Sequence, residues 1–157
     1  MQANNLNLRW ELKTFENLTP TELYALLRLR SEVFVVEQNC VFLDMDNKDQ
    51  FSYHNMAFIG EDLVAYTRLI PPQKVYPYMS IGRVVTSPGF RKKNIGRILM
   101  HESIQACYNL FGKAPIQIGA QLYLKKFYES FGFVQSSPVY DEDGIDHIEM
   151  IKQPDSV

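Results

Sequence analysis

A β-branched strand that runs through a basic turn into a long helix is the feature that most constrains this fold. The stretch is Ile81–Met100 and reads IGRVVTSPGFRKKNIGRILM. The first N–H groups of a helix have no intrahelical acceptors and carry the positive end of the helix dipole. With the cations of Arg91, Lys92 and Lys93 beside them, these bare amides predict a site for a diphosphate, and therefore a phosphate-bearing cofactor.

The composition indicates an ordinary globular domain. The chain has 157 residues, of which 46% are apolar and 22% are charged, so we expect a single domain with its core over about residues 8–152. A net charge of −2 argues against nucleic acid or a membrane surface as a partner. Since neither a long apolar run nor the apolar centre of a signal peptide is present, we expect a cytoplasmic protein.

The cysteines give no sign of a metal site. Cys40 and Cys107 lie far apart and match neither a CxxC pair nor a Cys/His ligand spacing. We therefore expect reduced thiols and no metal.

The order of periodic segments predicts an α/β chain of the α+β type with a mixed sheet. A parallel crossover is expected after the basic loop, with antiparallel pairs before it. The predicted elements are a strand over 8–14, a helix that begins with the capping pattern Thr19-Pro20-Thr21-Glu22, strands over 54–59, 63–70 and 78–86, a helix over 96–111, a strand over 115–119, a helix over 122–130 and a closing strand over 145–151.

Three aspartates lie in an irregular segment, residues 39–53. Asp44, Asp46 and Asp49 could attract a cationic substrate or could simply make a loop soluble, and the pattern leaves both interpretations open. A calcium loop is a weaker third interpretation, because the glycine and closing glutamate of such a loop are missing.

Two motifs in this order carry a family resemblance. Arg91-Lys92-Lys93-Asn94-Ile95-Gly96, after the strand 82–86, resembles the acyl-CoA loop of the GNAT N-acetyltransferase superfamily, Arg/Gln-x-x-Gly-x-Gly/Ala. The segment 119–133, GAQLYLKKFYESFGF, resembles its second motif, and 28–40 and 140–150 resemble the ElaA-type branch. The resemblance implies a central mixed sheet of about six or seven strands flanked by about four helices. It also implies that the fourth and fifth strands splay apart around the coenzyme A chain.

One residue departs from the family loop. Asn94 stands where the first loop glycine is usual. Asparagine adopts a positive φ more readily than other non-glycine residues, at a cost of up to about 1 kcal/mol. We therefore expect the loop to keep its shape and coenzyme A binding to be weakened or unchanged.

The resemblance also implies how acetyl-CoA, the expected co-substrate, is held. Amides of the loop would bind the diphosphate, a basic side chain would contact the adenosine phosphate, and strand backbone would pair with the pantetheine arm. The cofactor-binding residues expected on this basis are Val84, Val85, Thr86, Arg91, Lys92, Lys93, Asn94, Ile95, Gly96, Arg97, Gln121 and Tyr128.

Tyr128 is the candidate general acid. A phenol has a pKa of about 10 and can donate a proton to a departing thiolate at neutral pH. Helix periodicity alone would make Tyr128 a buried aromatic residue like Phe127 and Phe131, and the motif around it favours the acid role.

The general base is open among three residues. Glu37 follows Val35 and Val36, which could raise its pKa, although a solvated carboxylate at a helix end is the alternative. His54 could act as a base or form a structural hydrogen bond. His147 alternates along a predicted strand and could line the pocket.

We expect an acetyl-CoA-dependent N-acetyltransferase that acetylates a primary amine of a small molecule or peptide by direct attack. No cysteine is placed as an acyl carrier. An acyl-CoA-binding sensor without turnover and a transferase of longer acyl groups are the alternatives. The acceptor stays open among polyamines, aminoglycosides, peptide N-termini and lysine side chains, and a homodimer through a sheet edge would be compatible with the fold.

Overall fold

The computed structural model describes residues 7–155 and divides the strands of this region between two antiparallel sheets. The first sheet has the order β1-β2-β3-β4 and the second the order β5-β8-β6, with β7 paired to β8. The strands are β1 (Leu8–Thr14), β2 (Tyr53–Ile59), β3 (Asp62–Ile70), β4 (Ser80–Thr86), β5 (Ile116–Gln121), β6 (Phe133–Gln135), β7 (Tyr140–Glu142) and β8 (Ile145–Lys152).

Helices cover the sheets and connect them. The α-helices of the described region are α1 (Pro20–Arg30), α2 (Ile95–Phe111) and α3 (Lys125–Glu129). A π-helical segment, Ser31–Glu37, continues α1 without a break. No helix within residues 7–155 has both the length and the apolar character needed to cross a bilayer.

The predicted fold class is confirmed, and the structure refines its details. Strands β4 and β5 are joined by a parallel bridge between Met79 and Ile116, where the Gln117 amide donates to the Met79 carbonyl over 2.9 Å. Within residues 7–155 this bridge is the sole pairing between the two sheets, so the expected mixed sheet is open along most of its middle. The fourth and fifth strands splay apart as the resemblance implied.

Local signals set the start of α1 and the end of α2 as predicted, whereas α3 is shorter than the helix predicted over 122–130. The Glu22 amide donates to Thr19 Oγ1 over 3.1 Å, and the Thr19 amide donates to Glu22 Oε1 over 2.8 Å, which is a complete capping box before α1. Helix α2 ends at Phe111, and the following Gly112 has a φ of 90°, which suits glycine.

The helices pack on opposite faces of the first sheet. Met56 on β2 belongs to a buried cluster with Leu26 of α1, whereas its neighbour Ala57 belongs to a cluster with Leu99 of α2. Successive side chains of a strand point to opposite faces, so α1 and α2 lie on either side of β2. Cys107 of α2 is buried in the core, where burial raises the pKa of its thiol to about 12.

Candidate active site

A cavity of about 780 Å³ opens where β4 and β5 diverge. Its walls come from β4, the start of α2, β5, α3, the β7–β8 turn and the π-helical segment. It brings together twelve of the fifteen residues expected from the sequence: Glu37, Val84, Val85, Thr86, Arg91, Asn94, Ile95, Gly96, Arg97, Gln121, Tyr128 and His147. Lys92 and Lys93 are exposed and do not line it.

A β-bulge shapes the β4 wall. The register passes from Tyr66↔Val85 to Arg68↔Gly82, so two residues of β4 oppose Thr67 alone. The extra residue of a bulge leaves main-chain groups outside the ladder. Val84 and its neighbours therefore offer unpaired backbone groups on the cavity wall.

Arg83 is held in a left-handed conformation inside this bulge. Its φ is 51°, which costs a non-glycine residue about 1–3 kcal/mol and needs support from its surroundings. That support comes from Asp44: Arg83 Nε donates to Asp44 Oδ1 over 2.7 Å, and Nη2 donates to the Asp44 carbonyl over 2.8 Å. Sequence reasoning did not find this role of Arg83.

The N-terminus of α2 is bare, as predicted. Asn94 takes the left-handed conformation with φ 63°, so the expected positive φ is confirmed. Its side chain forms no cap, and within residues 7–155 no acceptor binds the amides of Ile95, Gly96 and Arg97. These three residues line the cavity. The first turn of α2 therefore supplies free N–H donors and positive dipole charge.

Arg91 and Glu37 form a two-pronged ion pair across one wall. Arg91 Nη1 lies 2.6 Å from Glu37 Oε2, and Nη2 lies 2.6 Å from Oε1. The hydrogen bonds from Arg91 lower the pKa of Glu37. Val35 and Val36 do not raise this pKa, because Val36 is exposed and the guanidinium decides the environment. Glu37 is itself exposed at the end of the π-helical segment, which agrees with the alternative of a solvated carboxylate.

Tyr128 is both buried and on the cavity wall. Its residue exposure is 6%, and its ring contacts Phe127 and Phe133 edge-on, with centroids 5.2 Å and 6.0 Å away. Burial raises the pKa of its phenol above the ordinary value of 10.0. The hydroxyl is therefore a protonated donor at neutral pH.

His147 presents one nitrogen to the cavity without a hydrogen bond. Its Nδ1 lies 2.7 Å from the Ile145 carbonyl, which can only accept, so Nδ1 carries the proton of the neutral ring. Nε2 then has a free lone pair, with Glu142 Oε2 3.6 Å away. The ring stacks on Tyr140 and is 8% exposed.

Two glutamines close a further part of the wall. Gln121 Nε2 donates to Gln38 Oε1 over 3.2 Å, which ties β5 to the residue after the π-helical segment. Gln121 was expected at this site, whereas Gln38 was not singled out, although it lies in the segment 28–40 that resembles the ElaA-type branch.

The three aspartates of the irregular segment belong to a buried Asp–Arg cluster, defined here as Arg30, Asp44, Asp46, Asp49, Arg68 and Arg83. Asp49 binds Arg30 over 2.7 Å and Arg68 over 3.0 Å, and Asp44 binds Arg30 over 2.9 Å. Asp46 binds Arg68 over 2.8 Å. Both open interpretations are therefore wrong: these carboxylates neither solvate a loop nor stand free for a cationic substrate.

His54 has a structural role. Its Nε2 donates to the Asp49 carbonyl over 2.9 Å, so Nδ1 accepts from the Tyr66 hydroxyl over 2.6 Å. The ring is fully buried, and burial lowers its pKa. His54 does not line the cavity and is removed from the candidate bases.

Splayed central strands, a bulged strand and a bare helix N-terminus around one cavity define the class of GNAT acyltransferases. The family model described as an acetyltransferase (GNAT) domain matches residues 30–154, and the chain belongs to this family. The resemblance on which the fold was predicted is thereby confirmed.

The relatives place the chain beside ElaA. It is 38% identical to Protein ElaA of Escherichia coli over 148 residues, which are 93% of this chain and 97% of ElaA. The crystal structure of E. coli ElaA superposes with a TM-score of 0.87 at 37% identity, over 93% of this chain and 99% of ElaA. An acyl-CoA N-acyltransferase from Pseudomonas aeruginosa superposes with a TM-score of 0.89 at 41% identity, again over 93% and 99%. Family and relatives support an acyltransferase role.

Proposed function

We propose that the protein is an acetyl-CoA-dependent N-acetyltransferase that acetylates a primary amine by direct attack in the cytoplasm. The observation that carries this proposal is the bare first turn of α2 on the cavity wall, facing the donor groups of a bulged β4. The family and the acyl-CoA N-acyltransferase neighbour support the reaction class.

The residues present fit coenzyme A. A Cβ built on Gly96 would lie 3.9 Å from Thr86 Oγ1 and 4.0 Å from Phe127 Cζ, so the approach to the α2 amides is open. These amides would hold the diphosphate. Unpaired backbone at the β4 bulge would bind the pantetheine arm as an added strand does. The thioester, when bound, supplies the activated acyl group.

Two side chains of the cavity divide the proton transfers. The free Nε2 of His147 would take the proton that the attacking amine loses, and Tyr128 would give its phenolic proton to the departing sulfur. Since Glu37 is paired with Arg91, we assign it to the part of the cavity wall that binds acetyl-CoA and not to the role of general base.

We expect Tyr128→Phe to lower kcat about 100-fold or more, the usual scale for loss of a general acid. The measurement is release of free thiol from acetyl-CoA with a panel of primary amines. Phenylalanine keeps the buried ring on the cavity wall, so the affinity for coenzyme A should change far less than kcat.

Tyr108→Phe is the matched control. Tyr108 is also buried, its hydroxyl has no hydrogen-bond partner within residues 7–155, and it lies outside the cavity lining. It should retain full activity. If the Tyr128→Phe enzyme were as fast as this control, Tyr128 would not be the general acid. If the natural protein bound coenzyme A tightly but showed no turnover, the sensor alternative would be favoured.

We expect His147→Gln to lower kcat/KM by about 100-fold, because glutamine cannot accept the proton. The measurement is kcat/KM for thiol release at pH 7 with the panel of primary amines. His101→Gln, at an exposed histidine of α2, is the control, and equal kcat/KM values for the two variants would exclude His147 as the base.

A further inference from the structure

Two walls of the cavity carry opposite charge. Arg91 and Arg97 line it near the start of α2, whereas Glu142 and Asp143 line it at the β7–β8 turn. The sequence has no lysine or arginine between Lys126 and Lys152, so the acidic wall has no cation of its own nearby in the chain.

The acidic wall is not neutralised by ion pairs. Glu37, the further carboxylate on the lining, is paired with Arg91. Across the described range 7–155, neither Glu142 nor Asp143 lies within ion-pair distance of a lysine or arginine, and Glu142 meets His147 at 3.6 Å. Two negative charges therefore face the cavity at this wall.

Contacts within the fold hold the acidic turn in place. The Cys40 thiol donates to the Asp143 carbonyl over 3.3 Å, which ties the turn to the irregular segment. The Gly144 amide donates to Asp141 Oδ2 over 3.3 Å. The carboxylates are thus presented by an ordered hairpin.

A histidine lies at the same wall. His147 lines the cavity, and its Nε2 lies 3.6 Å from Glu142 Oε2 without forming a hydrogen bond within residues 7–155. A ring nitrogen without a hydrogen bond can accept one, so the N–H of an amine fits there. The carboxylates beside it suit a second group that stays positively charged.

From these observations we infer that the acceptor is a primary amine that carries a second cationic group, and not an amino acid whose carboxylate would meet Glu142 and Asp143. This inference rests on the proposed N-acetyltransferase function. The amine nearest to His147 reacts in its neutral form, while the second cation stays protonated beside the acidic wall.

The test compares three primary amines that share one four-carbon chain: 1,4-diaminobutane, butylamine and 4-aminobutyrate. We expect kcat/KM to be at least about fivefold higher for the diamine than for butylamine, the scale of one partly exposed ion pair. The value for 4-aminobutyrate should be lower still, because its carboxylate is repelled.

A Glu142→Gln/Asp143→Asn double variant should remove this preference and leave the affinity for coenzyme A unchanged. Both substitutions keep the side-chain shape, and asparagine tolerates the left-handed φ of 53° at Asp143. Asp146→Asn is the control, since this exposed residue of the same hairpin lies outside the cavity lining. It should keep the preference at 0.15 M salt, where distant charges are screened.

The possible failures are distinguishable. Equal rates for the three amines, faster reaction of 4-aminobutyrate, no turnover of these three while another primary amine of the panel is acetylated, or a preference that survives in the double variant would overturn the acceptor assignment alone. Absence of both coenzyme A binding and thiol release would overturn the proposed function itself.

Discussion

Coenzyme A affinity is expected to fall more than 100-fold when Gly96 is replaced by glutamate. The carboxylate would stand among the free amides of α2, accept their N–H groups and repel the diphosphate. Loss of two charge-assisted hydrogen bonds, each about 1.5–3 kcal/mol, exceeds the roughly 2.7 kcal/mol that corresponds to 100-fold. Calorimetric titration with coenzyme A measures the effect.

Two control variants show whether Gly96→Glu weakens coenzyme A binding through its charge or through its size. Gly96→Ala adds a Cβ in ordinary van der Waals contact with Thr86 and Phe127, so its affinity should change by no more than about threefold. Gly89→Glu places the same charge in the preceding turn, where a Cβ meets nothing within 4 Å and which does not line the cavity. If Gly96→Glu bound coenzyme A as tightly as Gly89→Glu, the diphosphate site would not be at α2.

Asp49→Asn is expected to lower the free energy of unfolding by about 3–5 kcal/mol, the range for breaking a buried ion pair. Asp49 shares its carboxylate between Arg30, which has no exposed surface, and Arg68. Without it these guanidiniums keep too little negative charge and cannot reach water. Urea unfolding at pH 7 measures the loss.

An exposed pair provides the comparison. Glu11→Gln breaks the ion pair with Arg9, whose side chains are 33% and 53% exposed, and should cost at most about 1 kcal/mol. Similar losses for the two variants would contradict a stabilising role of the Asp–Arg cluster.

The contribution of Asp49 to the free energy of unfolding should decrease as the pH falls. Burial alone would raise the pKa of Asp49, but hydrogen bonds from Arg30 and Arg68 lower it below 3.8. A carboxyl with a lowered folded-state pKa stabilises the fold above its unfolded pKa and loses this effect as pH falls through the folded value. The difference between the natural protein and Asp49→Asn should therefore be complete at pH 7 and shrink below about pH 4.

Features with local causes could be predicted from the sequence. The capping pattern at Thr19 and Glu22 is a contact between residues three apart, and it is found as expected. Asn94 takes a positive φ because its own short polar side chain tolerates it. The strand Leu8–Thr14 has the bounds that its alternation predicts, although Leu12, predicted on the buried face, is exposed. Such features need no knowledge of the rest of the fold.

Features that depend on distant partners could not be predicted. The neighbours Val35 and Val36 left open a raised pKa for Glu37, but Arg91, 54 positions away, lowers it. The aspartates of residues 39–53 look like a solvated run until the fold brings arginines from three other segments against them. Charge pattern alone does not distinguish a buried ion cluster from a soluble loop.

The irregular segment, residues 39–53, supports the β4 wall of the cavity. Asp44 binds both the wholly enclosed Arg30 and the strained Arg83 of the bulge. The same carboxylate thus anchors the interior and fixes the backbone beside Val84. A substitution in this segment, far from any reacting atom, would therefore shift β4, the strand proposed to bind coenzyme A. Such a substitution would change both the stability of the fold and the geometry of the site.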